Sequence, residues 1–120
     1  MSNKNTIIIQ KMRKYCDDAV KYSVGLAYEE FTQNELYLTF SVFALSQLGE
    51  LATKADSSLC ERFPQIPWQA MRGIRNRIVH NYDGVQFHIL WAVLTENIPE
   101  LQKQLKDALE ALNTEDDLEN

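Results

Sequence analysis

The chain has 120 residues, 45% of them hydrophobic and 24% charged, enough to bury one sizeable core and too short for two independently folded domains. Its formal charge of −5 argues, averaged over the whole chain, against a polyanionic partner. Four glycines and three prolines are too few turn formers for a many-stranded sandwich or barrel and exclude a linker-like or collagen-like chain, which leaves helices.

From Thr6 to Ser23 the positions Ile8, Met12, Tyr15, Cys16, Ala19 and Tyr22 recur three or four apart, one face of a helix that Gly25 should stop. Thr32 and Glu35 have the spacing of a capping box and announce a second helix. Its stripe, Leu36, Phe40, Phe43, Ala44, Leu48 and Leu51, runs to about Lys54. Ser58 and Glu61 repeat the capping spacing and predict one short turn of helix, ended by Pro64. A further helix starts near Pro67, where a missing N–H does no harm, and runs through Arg75 to about Asn81 before Asp83-Gly84. Val85 to Glu96 carries Phe87, Leu90, Trp91 and Leu94 at helical spacing. Asn97, Pro99 and Glu100 mark one more start, whose buried stripe is Leu101, Leu105, Ala108 and Leu112.

The fold class is therefore all-α, an antiparallel up-down bundle of four or five helices. Residues 1–112 form the helical domain, and 113–120 are too polar to bury and read as an acidic, disordered tail. No run approaches the roughly 18 apolar residues that cross a bilayer, so the chain reads as a soluble, cytoplasmic protein without a signal peptide. Cys16 and Cys60 lack any metal-ligand spacing and read as free thiols of a reducing compartment. No metal or cofactor is expected.

The chemistry concentrates between Met71 and Val85. At about 100° per residue, Met71, Ile74 and Ile78 form a core stripe, while Arg72, Asn76 and His80 line a polar one. Burying part of such a cluster for packing alone is costly, since every polar group needs a partner. Arg75 and His80 diverge by roughly 140° on a regular helix, so either the helix loosens near His80 or a second copy of the chain completes the pocket.

Arg75, four intervening residues, His80, one residue and Tyr82, with Asn76 after the arginine, resemble the motif of the HEPN superfamily, specifically its HepT-type toxins. Phe63-Pro64-Gln65-Ile66-Pro67-Trp68, Leu48-Gly49-Glu50, Gly84-Val85, Trp91 and Ile98-Pro99-Glu100-Leu101 match the same pattern, so the resemblance covers nearly the whole chain to Leu112. It implies a HEPN-like, dimeric, all-helical toxin of a type VII-like toxin–antitoxin pair. Such a toxin cleaves RNA without a metal and is silenced when a MntA-type nucleotidyltransferase adds AMP to the motif tyrosine, here Tyr82.

The residue chemistry is compatible with that. Metal-free RNA cleavage needs a base for the ribose 2′-OH, an acid for the leaving 5′-oxygen and positive charge at the phosphate. His80 suits base or acid, and Arg75 offers a guanidinium fork to phosphate oxygens. Asn76 can donate to the phosphate or hold the imidazole. Arg72 and Arg77 are candidate RNA contacts or simply solvated surface arginines. Glu50 either faces the cleft and positions an arginine or faces solvent. His88 reads as an ordinary surface or packing residue, and Trp68 and Trp91 as core or dimer anchors. A competing reading is a non-catalytic helical subunit that presents a substrate or nucleotide to a nucleotidyltransferase.

The net charge then reads differently. Glu115, Asp116, Asp117 and Glu119 lie in the tail, leaving 13 acidic against 12 basic residues in the body. Between Arg62 and Tyr82 there are four arginines and no acid. RNA binding confined to one cleft fits that distribution.

Overall fold

The computed structural model describes residues 3–74 and 87–119, with side chains described over 4–74 and 87–114. The described residues are helical: α1 (Asn3–Lys21), α2 (Tyr28–Thr32), α3 (Glu35–Lys54), α4 (Ser57–Arg62), α5 (Trp68–Ile74), α6 (Phe87–Ala92) and α7 (Ile98–Glu119), the last two joined by a π-helical turn, Val93–Asn97. Helix α1 lies between α3 and α7, and α3 lies between α1 and α5. The Gln104 side-chain amide of α7 donates to the Gln65 carbonyl ahead of α5 at 2.9 Å and closes the arrangement. No helix among the described residues is long and apolar enough to cross a membrane.

The core is continuous through these layers. Helix α1 contributes Ile9, Met12, Cys16 and Ala19, α3 contributes Leu45, Leu48 and Ala52, and α7 contributes Leu105, Ala108 and Leu112, every one of them with 0% of its surface exposed. Burial pushes the Cys16 thiol up to about 12, so it stays protonated and acts as a small hydrophobe. Both cysteines are free thiols.

Helix boundaries follow local hydrogen bonding, and here the structure corrects two capping assignments. Helix α3 is capped by Asn34, whose side-chain oxygen accepts from the Tyr37 N–H at 3.0 Å. Thr32 instead ends the short helix α2, which forms because the Glu30 carboxylate accepts from the Ala27 N–H at 2.9 Å. Helix α4 is capped by Asp56, which accepts from the Leu59 N–H and the Ser58 hydroxyl. These bonds favour the ionised carboxyl and hold it below the usual range. In each case an Asn or Asp two residues away from the expected cap outcompetes the hydroxyl, in keeping with the stronger cap preference of these side chains. Gly25, at φ +79°, stops α1 as expected, a backbone conformation that costs glycine little.

The third correction is at Pro99. A new helix start is absent there: the rod continues from α6 into α7, with the Ile98 N–H donating to the Val93 carbonyl five residues back. Proline cannot donate to the carbonyl four residues before it and crowds that carbonyl, and the widened turn just upstream takes up the misfit. The same turn keeps Leu90, Leu94 and Ile98, spaced by two consecutive steps of four, on the buried side. On a regular helix those steps would drift by about 80°. Helix α7 runs on beyond Leu112, the last buried residue among its described side chains, to Glu119.

Candidate active site

Arg75, Asn76, Arg77, His80 and Tyr82 lie outside the described residues, which hold the platform that delivers them. Helix α5 ends its described part at Ile74, one residue before Arg75. The described turns of α5, Trp68–Ile74, are held in place by tertiary anchors.

Those anchors begin in the turn Phe63-Pro64-Gln65-Ile66-Pro67. Phe63 and Ile66 are buried, and the Phe63 carbonyl accepts twice, from the Ile66 N–H at 3.1 Å and from the Trp68 indole N–H at 2.9 Å. Both lone pairs of a buried oxygen are thereby used, and Trp68 is fixed in the core with its polar atom satisfied. Met71, one turn on, is 2% exposed and packs in the same core.

Arg72 ties the far end of α5 down. Its Nε donates to the Ala52 carbonyl at 3.0 Å, and one terminal nitrogen donates to Cys60 Sγ at 3.2 Å. Ala52 lies in the last turn of α3, where carbonyls have no intrahelical partner and carry the negative end of the helix dipole. One guanidinium thus joins α5, α3 and α4. Sequence spacing alone placed Arg72 on the polar stripe but gave no sign of these partners, because Ala52 and Cys60 lie 20 and 12 residues away. Glu50 sits half-buried one turn before Thr53 on the same helix.

On the other side of the motif, α6 begins with Phe87. Its Trp91 packs against Phe31, with centroids 5.3 Å apart, and edge-on against Tyr28 at 5.8 Å. Tyr28 in turn stacks on His88, with centroids 4.7 Å apart and planes 16° apart. Among the described residues no three His, Cys, Asp or Glu side chains gather as metal ligands would.

Comparison with known proteins supplies the remaining observation. The sequence pattern of the family described as ribonuclease HepT-like matches residues 12–108. The chain belongs to the HepT-like ribonuclease family. A provisionally named RNase of Methanocaldococcus jannaschii is 29% identical over 90 residues, covering 75% of this chain and 83% of that protein. One of Caldanaerobacter subterraneus is 26% identical over 102 residues, covering 85% and 91% respectively. A probable ribonuclease HepT of Thermococcus cleftensis is 29% identical over 82 residues, 68% of this chain and 74% of its own. No solved structure matches the chain. For this member of the HepT-like family the all-helical fold was expected and is found.

The Arg72 geometry yields a prediction. Arg72→Ala leaves the Ala52 carbonyl without its donor and frees the end of α5, costing about 1 kcal/mol, a melting temperature lower by roughly 4 °C. Arg72→Lys recovers less than half, since one ammonium cannot reproduce the two divergent bonds. Thermal unfolding of the three proteins checks both.

Proposed function

We propose that this chain is the toxin of a toxin–antitoxin pair and a metal-independent endoribonuclease acting through Arg75 and His80. The observation that carries the proposal is the Arg75-x4-His80-x-Tyr82 motif in a chain whose residues 12–108 match the HepT-like ribonuclease family.

The reaction is a transesterification. One histidine removes the proton of the ribose 2′-OH, and the 2′-oxygen attacks the adjacent phosphorus. The bond to the 5′-oxygen breaks, and that oxygen takes a proton from a general acid. The products carry a 2′,3′-cyclic phosphate and a 5′-OH. Arg75 neutralises the crowded phosphate, and Asn76 donates to it or orients the imidazole. Arg77, together with the Arg72 nitrogen not committed to Ala52 and Cys60, offers further phosphate contacts.

A second copy of the chain supplies the second histidine, so that one acts as base and the other as acid. The surface of α3 supports this: Leu36, Phe40 and Phe43, spaced by four and three, are 62%, 44% and 55% exposed. Tyr22 stacks on Phe40 and meets Tyr37, and Tyr15 meets Phe43 edge-on, which extends an aromatic face flanked by Lys14 over Tyr15 and Lys21 over Tyr22. A monomer rarely leaves such a contiguous apolar face in water, and Leu36, Phe40 and Phe43 at its centre suit a second copy across a two-fold axis. Silencing follows from AMP addition to Tyr82 by a MntA-type nucleotidyltransferase, because a bulky anion two residues from His80 repels RNA from the cleft.

Three measurements test the parts separately. In chelator, purified protein cleaves RNA, while Arg75→Ala and His80→Ala each lose at least a hundredfold in rate; equal cleavage by wild type and variants removes the catalytic assignment, and none by the wild type removes the ribonuclease. Mass spectrometry after co-expression with the nucleotidyltransferase finds AMP on the Tyr82 peptide, and an unmodified peptide beside an active partner contradicts the silencing mechanism. Light scattering finds wild-type protein at twice the chain mass and Phe40→Lys/Phe43→Lys at the monomer mass; an unchanged dimer moves the interface elsewhere.

A further inference from the structure

Tyr28 and His88 are far apart in the sequence, yet their rings lie almost parallel, 4.7 Å apart. Tyr28 is half-buried and meets Trp91 in a T-shaped contact, and Trp91 itself packs on the fully buried Phe31. His88 is the outer plate of the stack and is exposed. The core at this corner is closed by Phe31 and Leu90, both 0% exposed. The imidazole therefore adds little to burial. It presents a flat, rigidly backed π face to solvent.

We infer that the Tyr28 and His88 pair is a base-stacking platform that seats an unpaired nucleobase of the bound RNA. The inference rests on the ribonuclease reading and adds the substrate form, single-stranded, and a residue that binds it. Every nucleobase has a π face, so an aromatic plate holds single strands with little regard to sequence, whereas a paired base is already stacked in its helix. His88 is eight residues beyond His80, so their Cα atoms lie within about 28 Å of each other by chain length, a span that one bound strand of several nucleotides can cover.

The neighbouring charges define what the platform does not do. Glu29 and Glu30 adjoin Tyr28 in α2, and the Glu30 carboxylate is engaged by the Ala27 N–H. These carboxylates disfavour a phosphate contact at Tyr28. Affinity gained here comes from the base, while the phosphate is held by the arginines of the motif, and the two contributions separate by their salt dependence.

The test uses non-cleavable single-stranded RNA carrying 2-aminopurine at each position in turn, with wild type, His88→Ala, His88→Leu and His88→Phe. Thermal unfolding first establishes that the variants are folded. Wild type quenches 2-aminopurine at one position. His88→Ala and His88→Leu lose the quenching and weaken binding about tenfold, with the slope of affinity against salt unchanged. His88→Phe restores both, which a role in proton transfer would forbid. With cleavable RNA the loss falls on KM and leaves kcat within about twofold. Unaltered quenching and affinity in His88→Ala overturn the platform, even if the wild type cleaves RNA. So does failure of His88→Phe to rescue, or lost binding of the nucleotidyltransferase with RNA affinity intact, which would make the pair a protein contact. Quenching at one position that His88→Ala abolishes supports the platform even if the wild type cleaves nothing, in which case only the cleavage reading falls.

Discussion

The described part of helix α5, Trp68–Ile74, leads directly into the motif, so the contacts that hold these turns set where the motif starts. They are distributed over three elements. Trp68 plugs the core and donates to Phe63, Gln104 reaches from α7 to Gln65, and Arg72 clamps the end of α5 to α3 and α4. The clamp also serves α3, since the Ala52 carbonyl would otherwise end its helix without a donor. Packing of α1 against both α3 and α7 keeps these anchor points in register with one another.

Much of this was legible in the sequence because it is periodic. The buried stripes Met12, Cys16 and Ala19 and Leu101, Leu105, Ala108 and Leu112 repeat at three and four residues, and burial of an apolar face is what the helical period reports. Caps were less legible. Thr32 and Ser58 have the right spacing, but Asn34 and Asp56 make the bonds, and which side chain caps depends on where the preceding segment turns. Pro99 was read as a start because proline usually opens or ends a helix, and a widened turn that absorbs it leaves no local signature.

The site divides in the same way. Arg75, Asn76, His80 and Tyr82 are close in sequence and could be read together. The partners of Arg72 and the stack of Tyr28 on His88 join distant segments, and no spacing rule reports them. His88 reads as an ordinary surface or packing residue for that reason. The aromatic face of α3 was partly misread too: Leu36, Phe40 and Phe43 were assigned to the buried stripe, whereas they look outward, a half turn from Leu38, Leu45 and Leu48.

The physical roles combine into one account of an acidic chain that handles RNA. General affinity is low by charge, the arginines between Arg62 and Tyr82 are the one stretch rich in positive charge, and the proposed platform of Tyr28 and His88 would favour an unpaired strand. The central claim is that the 2′-OH of the substrate is the nucleophile and no metal-bound water takes part. Analysis of the product ends after digestion in chelator tests it most directly. The account predicts 2′,3′-cyclic phosphate and 5′-OH termini at an undiminished rate; 3′-OH with 5′-phosphate termini, or cleavage that appears only when a divalent metal is restored, would contradict it.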